Sequence, residues 1–160
     1  MRAAIAWTWT NASTFGGARD RITLSGHSAG GHLTAMALAT DWPGQYDLPS
    51  DVIKAGLAIS GLFDLAPFPY SWLQPSLQLT WDQVLRHSPV RHVPGTSPPL
   101  TVAVGGEESA EFRRQSHEFH RLRTERGLPG RHVEVPGCNH FTVLTALAGR
   151  HGGLAAEVAV

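Results

Sequence analysis

Residues 21–39 of the chain read RITLSGHSAGGHLTAMALA and change character at Ser28. The β-branched run RITL (21–24) predicts a short strand, and the alanine- and leucine-rich run after Ser28 predicts a helix over residues 29–40. A glycine-rich turn with Ser28 at its centre joins the two. Because a strand that turns at once into a helix is typical of sheets covered by helices, this stretch decides how the rest of the chain is interpreted.

The chain alternates in the same way beyond this stretch. Further strands are predicted at AGLAIS (55–60), LTVAV (100–104) and HVEV (132–135). A helix is predicted from its N-cap, Ser109, to about Arg126. Continuous apolar strands that alternate with helices predict a parallel sheet covered on both faces, which is an α/β fold.

Other segments are less regular. Residues 3–11 are predicted to end a helix, and DWPGQYDLPSD (41–51) is predicted to be a loop. Seven of the eleven prolines lie in residues 66–99, which therefore cannot form long regular elements. Residues 141–149 are predicted to start a last helix. We treat residues 1–160 as one domain.

Composition excludes several classes of function. Thirteen basic residues balance thirteen acidic ones, so the charge favours neither nucleic acid nor an anionic membrane as a partner. No apolar run approaches the roughly 20 residues of a membrane span. The single cysteine, Cys138, excludes an intrachain disulfide and fits a reducing compartment, so we expect a cytoplasmic protein.

The sequence Gly26-His27-Ser28-Ala29-Gly30 fits the G-x-S-x-G nucleophile elbow. In this turn the serine hydroxyl is lifted above the sheet, and the two glycines are expected to let neighbouring backbone approach closely. The N–H of Ala29 would face an oxyanion at the start of the helix. The alternative is a turn that only caps the helix. A phosphate loop is disfavoured, because the stretch lacks both G-x-G-x-x-G and a lysine.

A serine nucleophile needs a general base, and His140 has a suitable position. It follows the last predicted strand in HVEVPGCNHF (132–141), in a loop at the carboxyl end of that strand. The other eight histidines lack such a position. Cys138 lies two residues before His140, so a Cys–His dyad is an alternative, although no helix or strand-top turn would activate its thiol. No metal-binding spacing is present.

Four carboxylates are candidates for the acid that orients the base: Asp64, Glu107, Glu108 and Glu111. Glu107 and Glu108 lie in the loop after the third predicted strand, and Asp64 follows the second strand. Position alone does not separate Glu107 from Glu108.

Together these motifs resemble the kynurenine formamidase (arylformamidase) branch of the α/β-hydrolases. The least generic parts are the E-S-x-E-F-x-x-Q-S run at 108–116 and N-H-F at 139–141. The resemblance covers almost the whole chain, in the stretches AIAWTWTNASTFGG (4–17), GHSAGGHL (26–33), ISGLFDLAPF (59–68), HSPV (87–90), VAVGGEESAEFRRQSHEF (102–119) and GCNHFTVLTAL (137–147).

The resemblance implies a role for each site residue. Ser28 corresponds to the nucleophile, His140 to the base and Glu108 to the acid, a position that is more often aspartate in the family. The implied reaction is hydrolysis of N-formyl-L-kynurenine to L-kynurenine and formate by acyl transfer, without a cofactor or metal. A general carboxylesterase acting on small acyl esters is the alternative within the enzymes.

An aryl amide substrate implies an aromatic pocket. Phe68, Tyr70 and Trp72, together with Trp81, lie in the proline-rich stretch that could arch over the site. The alternative for these side chains is simple packing.

The chain departs from the family in front of Ser28, where only 27 residues stand. The family has about four strands there and an H-G-G motif that supplies a second oxyanion donor; the only HGG here is at 151–153. We therefore expect the second half of an α/β-hydrolase sheet, with the RITL strand as a bare edge and an exposed apolar patch. Such a fragment would be weakly active, or a non-catalytic remnant that binds a second copy or another partner through that edge.

Overall fold

Four parallel strands form one sheet in the computed structural model, which describes residues 1–145. The spatial order of the strands follows the chain: β1 (Thr23–His27), β2 (Ala55–Ile59), β3 (Leu100–Gly105) and β4 (Gly130–Val135). Since all four strands run the same way, their carboxyl ends meet at one edge of the sheet. The predicted α/β fold with about four parallel strands is confirmed.

Helices connect the strands and precede the first of them. They are α1 (Arg2–Asn11), α2 (Ala29–Leu38), α3 (Trp42–Tyr46), α4 (Gln74–Leu77), α5 (Trp81–His87) and α6 (Ala110–Glu125). Short 3-10 turns lie at Ala12–Phe15, Arg19–Arg21, Phe68–Tyr70, Pro89–Arg91 and Thr142–Leu144.

The two faces of the sheet bury separate apolar clusters. Ala58 and Val102 point to the face that α2 and α6 cover, where they join Leu38 and Phe119. Their neighbours on β2 and β3 point to the opposite face, where Val143 of the last 3-10 turn closes a smaller cluster. Side chains alternate between the faces along a strand, so the central strands must be apolar throughout, as the sequence indicated.

Helix α6 begins where its capping residue predicts. The Oγ of Ser109 accepts a hydrogen bond from the backbone N–H of Phe112, at 3.4 Å, and the helix ends one residue before the predicted Arg126. Because Ser109 fixes this start, the residue before it, Glu108, is the last one of the loop that leaves β3.

Three predicted segments differ from the structure. The first strand is displaced from 21–24 to Thr23–His27, because its pairing with β2 starts at Thr23 opposite Ala55 and runs to His27. The predicted loop 41–51 contains the one-turn helix α3, since the side chain of Asp41 accepts from the N–H of Gly44. Of the last predicted helix, 141–149, residues 142–144 form a 3-10 turn and residues 146–149 lie outside the described part.

Strand β1 lies at one end of the sheet and pairs only with β2 among residues 1–145. Exposed apolar side chains lie on the first helix and the turn after it: Trp7 and Phe15 stack with ring centroids 6.0 Å apart and are 59% and 55% exposed. The expected bare edge and exposed apolar side chains are thus present in the described residues. In that part of the chain, no helix has the length and hydropathy to cross a membrane.

Candidate active site

Ser28 occupies the turn between β1 and α2 in a strained backbone conformation. Its φ of 57° and ψ of −117° are rare for a residue with a side chain. Its N–H donates to the carbonyl of Ile59 at the end of β2, at 2.9 Å, which ties the turn to the neighbouring strand. The hydroxyl is therefore held at the carboxyl edge of the sheet, as the nucleophile elbow requires.

Only the first of the two motif glycines is needed for close packing. A Cβ at Gly26 would lie far inside van der Waals contact with the backbone of Gly30, so no larger residue fits there. A Cβ at Gly30 would meet no atom of residues 1–145 within 4 Å, apart from the helix's own backbone and the adjacent residues. The expectation that both positions must be small is therefore correct for Gly26 and wrong for Gly30, whose backbone is what Gly26 accommodates.

Ala29 is the first residue of α2. The first N–H groups of a helix have no acceptor inside that helix, and they carry its positive dipole end. Ala29 is exposed and adjoins the Ser28 hydroxyl, so its N–H has the position of an oxyanion donor.

His140 lies between Ser28 and Glu108. Its Nε2 accepts from the Ser28 hydroxyl at 3.1 Å, and its Nδ1–H donates to Oε2 of Glu108 at 2.8 Å. The structure thus brings together the three residues that the resemblance assigned to the nucleophile, base and acid. This chain of hydrogen bonds can move a proton from the serine to the imidazole and stabilise the imidazolium that results.

Glu108 is the candidate acid that meets the base. Its side chain has no exposed surface, and its Oε1 accepts from the N–H of Gly105 at 2.8 Å and from the hydroxyl of Ser60. These donors replace the water that the buried carboxyl group has lost. Glu107, the adjacent candidate, is exposed to solvent.

The two other carboxylates belong to a separate network. Asp64 and Glu111 both contact Arg114, at 3.4 Å and 2.7 Å. Hydrogen bonds from Arg114 are the largest cause that lowers the pKa of Glu111, and burial opposes them. These residues hold α6 to the loop after β2.

The loop that carries His140 is held by the side chain of Asn139 and by a main-chain hydrogen bond from Glu107. Asn139 Oδ1 accepts from the N–H groups of Phe141 and Thr142, and the carbonyl of Cys138 accepts from the N–H of Glu107. Cys138 itself packs against the smaller apolar cluster of the sheet. Ser28, rather than Cys138, makes the hydrogen bond to His140, which favours the serine interpretation over the Cys–His dyad.

An apolar cavity of about 200 Å³ lies near the site, although Ser28, Glu108 and His140 are not among its lining residues. Phe112 lines it and also contacts His140, with ring centroids 4.5 Å apart. Phe68 lines the cavity as expected. Tyr70 and Trp72 lie outside its lining and are 81% and 86% exposed, and their contact with substrate stays a prediction.

The sequence analysis did not single out Ser60 or Phe112. Ser60 directly follows β2 and is fully buried, with a φ of 48°. A polar residue at the carboxyl end of an apolar strand was the available signal, because these ends share one edge of the sheet. Phe112 is the phenylalanine of the E-S-x-E-F run at 108–116, but that run assigned it no role. Among residues 1–145, no group of three or more histidine, cysteine, aspartate or glutamate side chains could hold a metal ion.

Comparisons with known proteins place this geometry in a family. The BD-FAE family model matches residues 1–122. Kynurenine formamidase from Danio rerio is 40% identical over 131 residues, which are 79% of this chain and 44% of that relative. Esterase LipC from Mycobacterium tuberculosis is 31% identical over 162 residues, which are 88% of this chain and 39% of the relative. The chain thus spans less than half the length of these curated relatives.

A solved structure shares the fold. A protein from Silicibacter sp. TM1040, provisionally described as a thioesterase, superposes with a TM-score of 0.76 at 29% sequence identity, covering 96% of this chain and 55% of its own. The similarity to kynurenine formamidases expected from the motifs is confirmed by the Danio rerio relative. Since the matched family model covers most of the chain and the solved structure shares its sheet, this chain belongs to the BD-FAE family and has the α/β-hydrolase fold.

Proposed function

We propose that this chain carries the catalytic residues of a serine hydrolase that cleaves an aryl formamide such as N-formyl-L-kynurenine by acyl transfer. Ser28 is the nucleophile, His140 the general base and acid, and Glu108 the carboxylate that orients the imidazole. The observation that carries the proposal is the hydrogen-bonded series from Ser28 through His140 to the buried Glu108.

The first half-reaction transfers the formyl group to the serine. Ser28 Oγ attacks the formyl carbon while Nε2 of His140 takes the hydroxyl proton. The Ala29 N–H stabilises the negative charge on the formyl oxygen. When the C–N bond breaks, His140 gives its proton to the departing aryl amine, and a formyl ester remains on Ser28.

The second half-reaction removes the formyl group. A water molecule attacks the ester carbon as His140 takes its proton, and the bond to Oγ of Ser28 breaks. His140 then returns the proton to Ser28, and formate leaves. Glu108 accepts from the Nδ1–H of His140 and so holds the imidazole in the tautomer whose Nε2 is free to accept.

The choice of an aryl formamide rests on two observations. The Danio rerio relative is a kynurenine formamidase. The cavity near the site is apolar and includes Phe68 and Phe112 in its lining, so it suits an aromatic ring. Its volume of about 200 Å³ fits a small ligand rather than a long acyl chain.

A general carboxylesterase is the second candidate. It is supported by the esterase relative LipC and needs the same three catalytic residues. The two candidates differ in the substrate that reacts fastest, because an esterase acts on esters of small acids with an activated alcohol and a formamidase acts on a less reactive amide.

The experiment is a direct comparison of substrates on the protein and its Ser28→Ala variant. Formate release from N-formyl-L-kynurenine is measured beside hydrolysis of p-nitrophenyl acetate and butyrate, and a fluorophosphonate probe reports the reactive serine. We expect labelling of Ser28 and a higher kcat/KM for the formamide. Labelling with a preference for the esters would support the esterase, and absence of labelling at Ser28 would overturn both candidates.

A further inference from the structure

His27, the residue before the nucleophile, forms a hydrogen bond that links the turn at Ser28 to the base loop, residues 136–141, which carries His140. Its Nε2 lies 2.7 Å from the carbonyl oxygen of His140, a residue 113 positions away. The two imidazole rings are also in contact, with centroids 4.5 Å apart and a tilt of 41°. His27 thus touches both the main chain and the side chain of the base.

The acceptor of this hydrogen bond shows which atom of His27 is the donor. A carbonyl oxygen can only accept, so Nε2 of His27 must carry the hydrogen.

Two hydrogen bonds therefore hold the base loop, one from the residue next to the acid and one from the residue next to the nucleophile. The N–H of Glu107, next to the acid, donates to the carbonyl of Cys138 at 2.9 Å. The side chain of His27, next to the nucleophile, donates to the carbonyl of His140. Together the two hydrogen bonds hold the loop in place at the carboxyl edge of the sheet. The position of the loop determines the distance from Nε2 of His140 to the Ser28 hydroxyl.

We propose that His27 is a positioning residue for the acyl transfer, acting through the main-chain carbonyl of His140. The inference rests on the proposed function of Ser28 and His140, and it adds a residue that takes no part in proton transfer. Its physical basis is the steep dependence of general-base catalysis on geometry, in which a displacement of about 1 Å can cost on the order of 100-fold in rate.

Two amide substitutions test the hydrogen bond, because they differ by one methylene group. Glutamine in His27→Gln carries its amide nitrogen the same number of bonds from Cα as Nε2 of histidine. Asparagine in His27→Asn carries it one bond short, where it cannot reach the carbonyl. His92→Phe is the matched control, since His92 also directs Nε2 to a carbonyl, that of Leu85 at 3.1 Å, but away from the site.

The first readout is the rate at which a fluorophosphonate labels Ser28, which needs the base but no particular substrate. We expect His27→Asn to label on the order of 10- to 100-fold more slowly, and His27→Gln and His92→Phe to stay within about threefold of the unaltered protein. The second readout is kinetic: His27→Asn should lower kcat for the best substrate and leave KM within about threefold, as expected when ground-state binding is intact. Circular dichroism confirms that each variant is folded.

The outcomes separate this inference from the proposed function. If the unaltered protein is not labelled at Ser28, the proposed function fails. If it is labelled and His27→Asn reacts at the same rate, or if His27→Gln is as slow as His27→Asn, the positioning role is wrong. If His27→Asn does not fold, His27→Gln decides: an unchanged rate supports the hydrogen bond, and a rate reduced tenfold or more in the folded variant refutes it.

Discussion

Glu108 and His140 are 32 positions apart in the chain, and Oε2 of the one lies 2.8 Å from Nδ1 of the other. The carboxylate that makes this contact is fully buried, and its second oxygen accepts from the main chain of Gly105 and from Ser60. Each oxygen thus has a donor in place of water. The arrangement leaves Nε2 as the free acceptor of the imidazole, which is the form needed to take the serine proton.

The Glu108→Gln variant should lose most of the activity while it keeps the fold. Glutamine can still accept from Gly105, but its NH2 group donates to Nδ1 of His140 and forces the hydrogen onto Nε2. That imidazole cannot take the proton of Ser28, and the kcat should fall on the order of 10,000-fold. Hydrolysis of the preferred substrate and labelling of the serine both measure this loss.

Glu107→Gln is the control for that variant, because Glu107 is the adjacent residue and its side chain faces solvent. It should retain kcat within about threefold. An equal loss in both variants, or full activity in Glu108→Gln, would show that Glu108 is not the acid of this site.

Removal of the Ser60 hydroxyl should destabilise the protein and weaken catalysis. The hydroxyl donates to the buried carboxylate of Glu108, and loss of a partner from a buried group costs about 1–3 kcal/mol in the free energy of unfolding. Ser60 also has a φ of 48°, which is costly for any residue with a Cβ. Ser60→Gly should therefore be more stable than Ser60→Ala by about 1 kcal/mol, although both lack the hydroxyl.

Urea unfolding of the two Ser60 variants measures this difference. Equal stabilities would mean that the backbone relaxes at this position. A kcat that is unchanged in both variants would mean that the hydroxyl does not help to hold Glu108 against His140.

The central strands could be predicted because burial on both faces leaves a continuous apolar signal. The predicted 55–60 and 100–104 each lie within one residue of β2 and β3. The predicted position of β1 was wrong by a few residues because Ser25, Gly26 and His27 have weak strand preference alone. They are held extended by pairing with β2. Pairing is a property of two segments, and a pattern within one of them does not contain it.

The site was predictable to the extent that each residue follows a strand. Ser28, His140 and the pair Glu107–Glu108 were found in this way. Position could not separate Glu107 from Glu108, because adjacent residues in a turn point in different directions, and only the tertiary structure shows which one is buried. The hydrogen bond from His27 ends on the main-chain carbonyl of His140. Every residue type has this carbonyl, so the sequence contains no signal for the contact.

The two glycines of the elbow should respond in opposite ways to alanine. Gly26→Ala places a Cβ inside the backbone of Gly30, which a strand joined to a helix cannot move aside. We expect this variant to lose at least about 3 kcal/mol of stability or to fail to fold, as for other overpacked sites. Gly30→Ala adds a methyl group at a helical position where, apart from the helix's own backbone and the adjacent residues, no atom of residues 1–145 lies within 4 Å, and should raise stability by about 0.5–1 kcal/mol.

Soluble yield and urea midpoints of the two alanine variants provide the measurement. A stable Gly26→Ala protein would show that the turn has more room than the structure gives it. A destabilised Gly30→Ala would indicate that another part of the protein approaches this helix.

His132 should make the protein less stable in mild acid. Burial is the largest cause that lowers the pKa of this histidine below its ordinary value of 6.5. The nearby rings of His117 and His120 lower it further, and Glu134 acts in the opposite direction. Its Nε2 is buried without a hydrogen-bond partner among residues 1–145, so no hydrogen bond at that atom stabilises the charged form.

The sign of the effect follows from where the proton binds. As the pH falls through 6.5 the unfolded chain protonates His132, whereas the folded protein takes that proton only at a lower pH. The unfolded state then binds more protons, and the free energy of unfolding decreases until the folded pKa is reached. His132→Leu should flatten this decrease. Urea unfolding above and below pH 6.5 measures the slope, and an equal slope in His132→Leu and the unaltered protein would assign the acid sensitivity to other groups.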